Sequence, residues 1–137
     1  MGCDIHLHTE VKIDGQWHHY NTPEVPRSYA LFSLMAGVRG EHDPVTRRKG
    51  FPDDASAVTK LDQKHWDCDA HSYSWLSSEE ILQLSERMKE LWPKYNPLTE
   101  SDYFGFFFEN DYSGFHKYPE DRYEGVEDVR FVFWFDN

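Results

Sequence analysis

Cysteine is almost missing from this chain. Cys3 and Cys68 are the only two and no C-x-x-C pair occurs, which argues against a disulfide scaffold and against a cysteine-built metal site. Two such thiols fit a reducing cytoplasm, and the apolar alternation around Cys3 predicts a buried side chain rather than a nucleophile. Long apolar runs are lacking too: nothing approaches the roughly eighteen consecutive apolar residues of a membrane span. The opening Met1-Gly2-Cys3-Asp4-Ile5-His6 has no basic stretch and no apolar signal core, so export is not expected. His6 also stands where a myristoylation pattern wants Ser or Thr. Basic charge is in short supply. The 14 Lys and Arg face 25 Asp and Glu, a net charge of −11, which disfavours nucleic acid as a partner because that binding needs clustered cations. The eight glycines are scattered and form no phosphate-cradling loop after a strand.

What is present suits one domain. The 137 residues leave no room for a second core, and 39% apolar with 28% charged residues is an ordinary globular composition. Two features stand out: aromatics reach 17%, and four of the eight histidines precede residue 20.

Cys3 to Ile13 alternates apolar and polar residues with a period of two, predicting a half-buried strand. Asp14-Gly15 supplies a tight turn, and Trp17 to Tyr20 reads as the return strand of a hairpin. Arg27 to Ala36 has helical spacing and is apolar on most sides, predicting a buried helix ended by Gly37 or Gly40. Glu41 to Asp69 is polar and irregular, with a short helix expected through Lys60 behind Asp53 or Asp54. Ser77 and Glu80 form a capping box for a helix whose apolar stripe runs from Ile81 to Trp92, before Pro93. Tyr103 to Phe108 is a strand candidate. Val129 to Phe135, apolar on both faces, predicts a central strand. The expected fold is therefore α+β, a small antiparallel sheet packed by two main helices.

Three groups could carry chemistry. On a strand, Asp4, His6, His8 and Glu10 project from one face about 6.6 Å apart, a row able to bind a divalent metal or to work as acid and base. The competing reading is a polar face turned to water. Upstream of the capped helix, His71, Ser72 and Ser74 could donate to an anion, although serines there also serve local turns. Arg27, Arg39 and Arg130 lie in or beside apolar elements. Each either recognises a phosphate or carboxylate ligand or pairs with an acid, Asp136 being the expected partner of Arg130.

The segments MGCDIH, RSYALFSLMAGVRG, KGFPDD with Ser56, HSYSWLSSEE and VRFVFWFDN together resemble a family of small phage and prophage proteins. The match covers Asp4, His6, Arg27, Arg39, Gly50, Pro52, Asp53, His71, Ser72, Ser74, Trp75, Arg130, Asp136 and Asn137; His8, Arg47 and Arg48 lie outside it. The resemblance implies a protein of the infected bacterium's cytoplasm. The opening DIHLHT is also similar to the first metal motif of polymerase-and-histidinol-phosphatase-type phosphoesterases, whose barrel needs more chain and further His and Asp motifs than this sequence has.

The resulting expectation is a pocket for a small anionic, phosphorylated, nucleotide-like ligand. Asp4, His6 and His71 would hold a divalent metal (Zn, Mn or Mg) and catalyse phosphoester hydrolysis. Arg27, Arg39, Ser72, Ser74, Arg130 and Asp136 would bind the ligand. The alternatives are sequestration of a nucleotide defence signal without catalysis, and an acidic inhibitor or DNA mimic that masks a host protein. Self-association is a further candidate, and a membrane partner is not expected.

Overall fold

The computed structural model describes residues 2–23, 25, 27–91 and 125–136. Strands β1 (Asp4–Ile13), β2 (Gln16–Asn21), β3 (Ala70–Ser77) and β4 (Val126–Asp136) form one antiparallel sheet in the order β2-β1-β4-β3. Helices α1 (Tyr29–Ala36), α2 (Ala57–Trp66) and α3 (Ser78–Leu91) and a single 3-10 turn (Asp67–Asp69) are the helical elements among the described residues, so the fold is the expected small α+β one. Asp14 and Gly15, at φ 50° and 75°, make the tight β1–β2 turn that only residues tolerant of positive φ can adopt. Between Thr9 and Glu10 the β1–β2 register slips by one residue, so Asn21 rather than Tyr20 faces Thr9.

The central position of β4 follows from its sequence. Its alternate residues Phe131, Phe133 and Phe135 are fully buried on one face, and Val132 and Trp134 are fully buried on the other. The first face joins Ile5, Leu7 and Val11 of β1 to Phe32, Leu34 and Met35 of α1 and Ile81 and Leu84 of α3, which is the apolar core. Ser28 caps α1 through Leu31 N–H, and Gly37 closes it in the left-handed conformation. At α3 the expected box is present: Ser77 N–H donates to Glu80 Oε1 at 2.9 Å, and Glu80 N–H donates to Ser77 Oγ at 3.3 Å.

Two elements differ from the sequence expectation. The helix after Ser56 does not stop near Lys60 but runs to Trp66. Residues 70–77, read as a polar approach to the next helix, form edge strand β3. Ser74 is fully buried and accepts from Lys49 N–H at 3.0 Å, so a polar residue sits inward without an apolar signal. The strand expected over 103–108 lies outside the described residues.

Candidate functional site

His6, His8 and Glu10 of β1 face α2. Thr59, Asp62 and Trp66 recur at helical spacing and meet Glu10, His8 and His6 in turn, so α2 runs antiparallel along β1. The two rises are of similar length: seven helical residues cover about 10.5 Å and four strand residues about 13 Å. Each contact is polar or aromatic. Thr59 Oγ1 donates to Glu10 Oε2 at 2.8 Å, His8 Nε2 lies 2.7 Å from Asp62 Oδ2, and the His6 and Trp66 ring centres are 3.9 Å apart.

Glu10 is the centre of this layer. It is fully buried, opposite Arg130 in the β1–β4 register, and its Oε1 accepts from Arg130 Nε at 2.9 Å and Nη2 at 2.8 Å. Its Oε2 accepts from Ser56 N–H and Thr59 Oγ1, both at 2.8 Å. Burial pushes the carboxyl up, but the hydrogen bonds from Ser56, Thr59 and Arg130 outweigh it and hold the group below its ordinary range. The carboxylate therefore stays charged, facing the N-terminus of α2, where a negative charge is favourable.

Arg130 leads from this buried pair to the surface. Its Cζ lies 4.1 Å from the Trp17 ring centre and 5.7 Å from that of Trp75, a guanidinium held between two indoles. Lys49 Nζ lies 3.5 Å from the ring centre of Trp75, and the same ammonium pairs with Glu80. Glu80 is held below its ordinary range because the hydrogen bonds from Lys49, Ser77 and Thr46 exceed the upward push of burial. Arg130 Nη1 reaches Asp54 Oδ1 at 3.0 Å, and that aspartate side chain is 67% exposed. Beside it opens a cleft of about 540 Å³ lined by Trp17, Pro52, Asp53, Asp54, Trp75, Ser77, Asp128 and Arg130.

The residues expected to converge are spread over three places. His6 and Asp136 do meet, with Nε2 to Oδ2 at 2.6 Å, at the end of the covered face away from the cleft. Asp4 is on the same face but at its rim, where both its oxygens accept from Arg27 at 2.8 Å; that guanidinium holds the carboxyl below its ordinary range, and Asp4 raises the arginine in turn. His71 is not with them. It pairs across the ladder with Phe135 and stacks on that ring, on the apolar-core side of the sheet. Ser72 accepts from Arg48 Nη1 at 2.6 Å, and Ser74 is taken by Lys49 N–H. Arg39 lies at the end of α1, over the Tyr29 ring at 4.7 Å. The pairing expected between Arg130 and Asp136 is replaced by Glu10 and Asp54, because the carboxylate opposite Arg130 belongs to the neighbouring strand, whereas Asp136 is six residues further along its own. Among the described residues, no three His, Cys, Asp or Glu side chains are grouped as a metal-binding set.

Sequence reasoning missed the partners from α2 and its preceding loop. Ser56, Thr59, Asp62 and Trp66 carry the signal, a helix whose inward stripe is polar and complements the polar side of β1. His19 also escaped notice. It pairs with Glu10 just before the register slip in β2, and its Nε2 lies 3.0 Å from His8 Nδ1. Comparison with protein-family models, with curated proteins and with solved structures finds no match for this chain.

Proposed function

We propose that the protein binds a small anionic ligand of nucleotide size in the cleft over Arg130. One observation carries this reading. Arg130 is 4% exposed and carries a permanent charge, yet its outward nitrogen is held by a single exposed carboxylate, that of Asp54. Asp54 stands where a ligand's phosphate or carboxylate would sit, and an exposed side chain can swing aside to admit one. The cleft volume falls within the roughly 300–1,000 Å³ of small-molecule sites.

The rest of the lining restricts the ligand further. Asp53 and Asp128 accept hydrogen bonds and repel bare anions, so the ligand must bring hydroxyl or amino donors along with its negative group. A nucleotide supplies all of these, and its base has a face for the exposed parts of Trp17 and Trp75. Among the described residues, the cleft lining combines three carboxylates, two indoles, one hydroxyl and the Arg130 guanidinium. Binding without turnover, as in sequestration of a nucleotide signal, is the first form of this reading. Hydrolysis is the second reading, supported by the His6–Asp136 pair, in which Asp136 would orient the imidazole as a base.

Tryptophan fluorescence and thermal shift against mono-, di- and cyclic nucleotides, with and without chelator, test the proposal. Saturating ligand should quench emission and raise Tm, as expected for a ligand that binds only the folded state. Asp54→Asn should tighten binding severalfold by freeing Arg130 Nη1. A panel in which no nucleotide acts on either protein overturns the cleft as an anion site, and phosphate release in the same samples would favour the second reading.

A further inference from the structure

His8, His19 and Thr22 bring three potential ligand atoms to one point beside the β1–β2 edge. His8 Nδ1 and His19 Nε2 are 3.0 Å apart, and Thr22 Oγ1 lies 3.5 Å from the first and 3.3 Å from the second. We propose that His8 and His19 bind a zinc-class divalent cation here, with the Thr22 hydroxyl as third ligand and solvent completing the shell.

The proton arrangement prepares His8 for this. Its Nε2 faces the Asp62 carboxylate at 2.7 Å, and a carboxylate only accepts. Nε2 therefore carries a proton, and in the neutral ring Nδ1 presents a bare lone pair toward His19. An imidazole whose far N–H is held by a carboxylate is the arrangement found around metal-ligating histidines, where the carboxylate fixes tautomer and ring orientation. The stack of His8 on Trp134, with ring centres 5.2 Å apart, holds the same orientation from its other side.

The spacing suits an ion better than a hydrogen-bonded chain. A triangle with these edges has its centre about 1.9 Å from each corner, and an ion slightly out of its plane reaches Zn–N distances of about 2.0–2.1 Å. A direct imidazole–imidazole hydrogen bond accounts for the 3.0 Å edge alone. It leaves Thr22 Oγ1 at the long limit of hydrogen bonding to both rings. Two imidazole nitrogens and one hydroxyl select zinc, cobalt or nickel over magnesium or calcium, which prefer oxygen. His8 is buried, but Thr22 is exposed and His19 half-buried, so the ion has a route in. The site is separate from the cleft over Arg130 and stands whether or not that cleft binds a nucleotide.

The test uses the whole chain, stripped with chelator and titrated with Zn²⁺ by calorimetry and with Co²⁺ by absorption. One equivalent should bind, with the bands of a four-coordinate nitrogen and oxygen site and no thiolate charge transfer. His19→Gln should weaken binding at least tenfold, Asp62→Asn should weaken it by a smaller factor, and His18→Gln, at the exposed neighbour, should leave it unchanged. Imidazole ¹⁵N shifts in the unmodified protein give a check that needs no variant: zinc should move His8 Nδ1 and His19 Nε2 and spare His6. Equal zinc binding by the protein and its His19→Gln form, or none by either, overturns the proposal.

Discussion

Helices α2 and α3 both begin at a serine, but different parts of the chain hold those beginnings. At α3 the capping partners are three residues apart: Ser77 and Glu80 satisfy each other's backbone N–H groups. At α2 Ser56 makes no side-chain cap, and Thr59 at the corresponding third position is too short to reach back as a glutamate would. Glu10 of β1 fills that role from 46 residues away, accepting Ser56 N–H and the Thr59 hydroxyl while it neutralises Arg130. One helix start is therefore written locally. The other exists only once the sheet is in place.

Substitutions at the two caps separate the cases. Glu10→Gln should be the most damaging, because it leaves Arg130 buried beside a neutral amide and frees the α2 start. A cost of about 3–5 kcal/mol in a urea melt is expected from breaking one side of a buried pair. Replacing Glu10 and Arg130 together by apolar residues should recover much of that loss, and a double variant no more stable than Glu10→Gln would show that the charge pair is not the cause. Ser77→Ala removes one local cap and should cost about 1 kcal/mol, with α2 unaffected in amide exchange. The smallest effect belongs to Asp4→Asn. Its pairing with Arg27 is half exposed and screened by salt, so the melting curve should not move measurably at physiological ionic strength.

The same contrast explains what could be read in advance. The alternation of β1, the Asp14-Gly15 turn, the apolar α1 and the capping box of α3 are local signals, and each appears as expected. The polar row Asp4, His6, His8 and Glu10 was visible as well, and most of it does face inward. What covers it was hidden, because α2 presents Thr59, Asp62 and Trp66 to the sheet and so lacks an apolar stripe over the stretch that matters. Arg130 could be singled out as a cation in an apolar strand, but its partner depended on strand order. The β1–β4 pairing sets Glu10 opposite it, and α2's loop adds Asp54. His71 failed as a companion of His6 for a similar reason. Ser72 takes a positive φ of 59° and the β3 register breaks between His71 and Ser74, so that face assignments along the segment do not follow simple alternation.

The segment leading to the cleft also does something for the sheet. Gly50 N–H donates to the Tyr73 carbonyl at 3.1 Å and Lys49 N–H to Ser74 Oγ, so a short stretch of irregular chain lies along the outer side of β3. An uncovered strand of this kind offers unpaired amides to a neighbouring molecule and invites fibre-like stacking. Shielding the sheet's flank and shaping the cleft rim thus fall to one strap, and a protease cut within it would first be noticed as clouding of the solution.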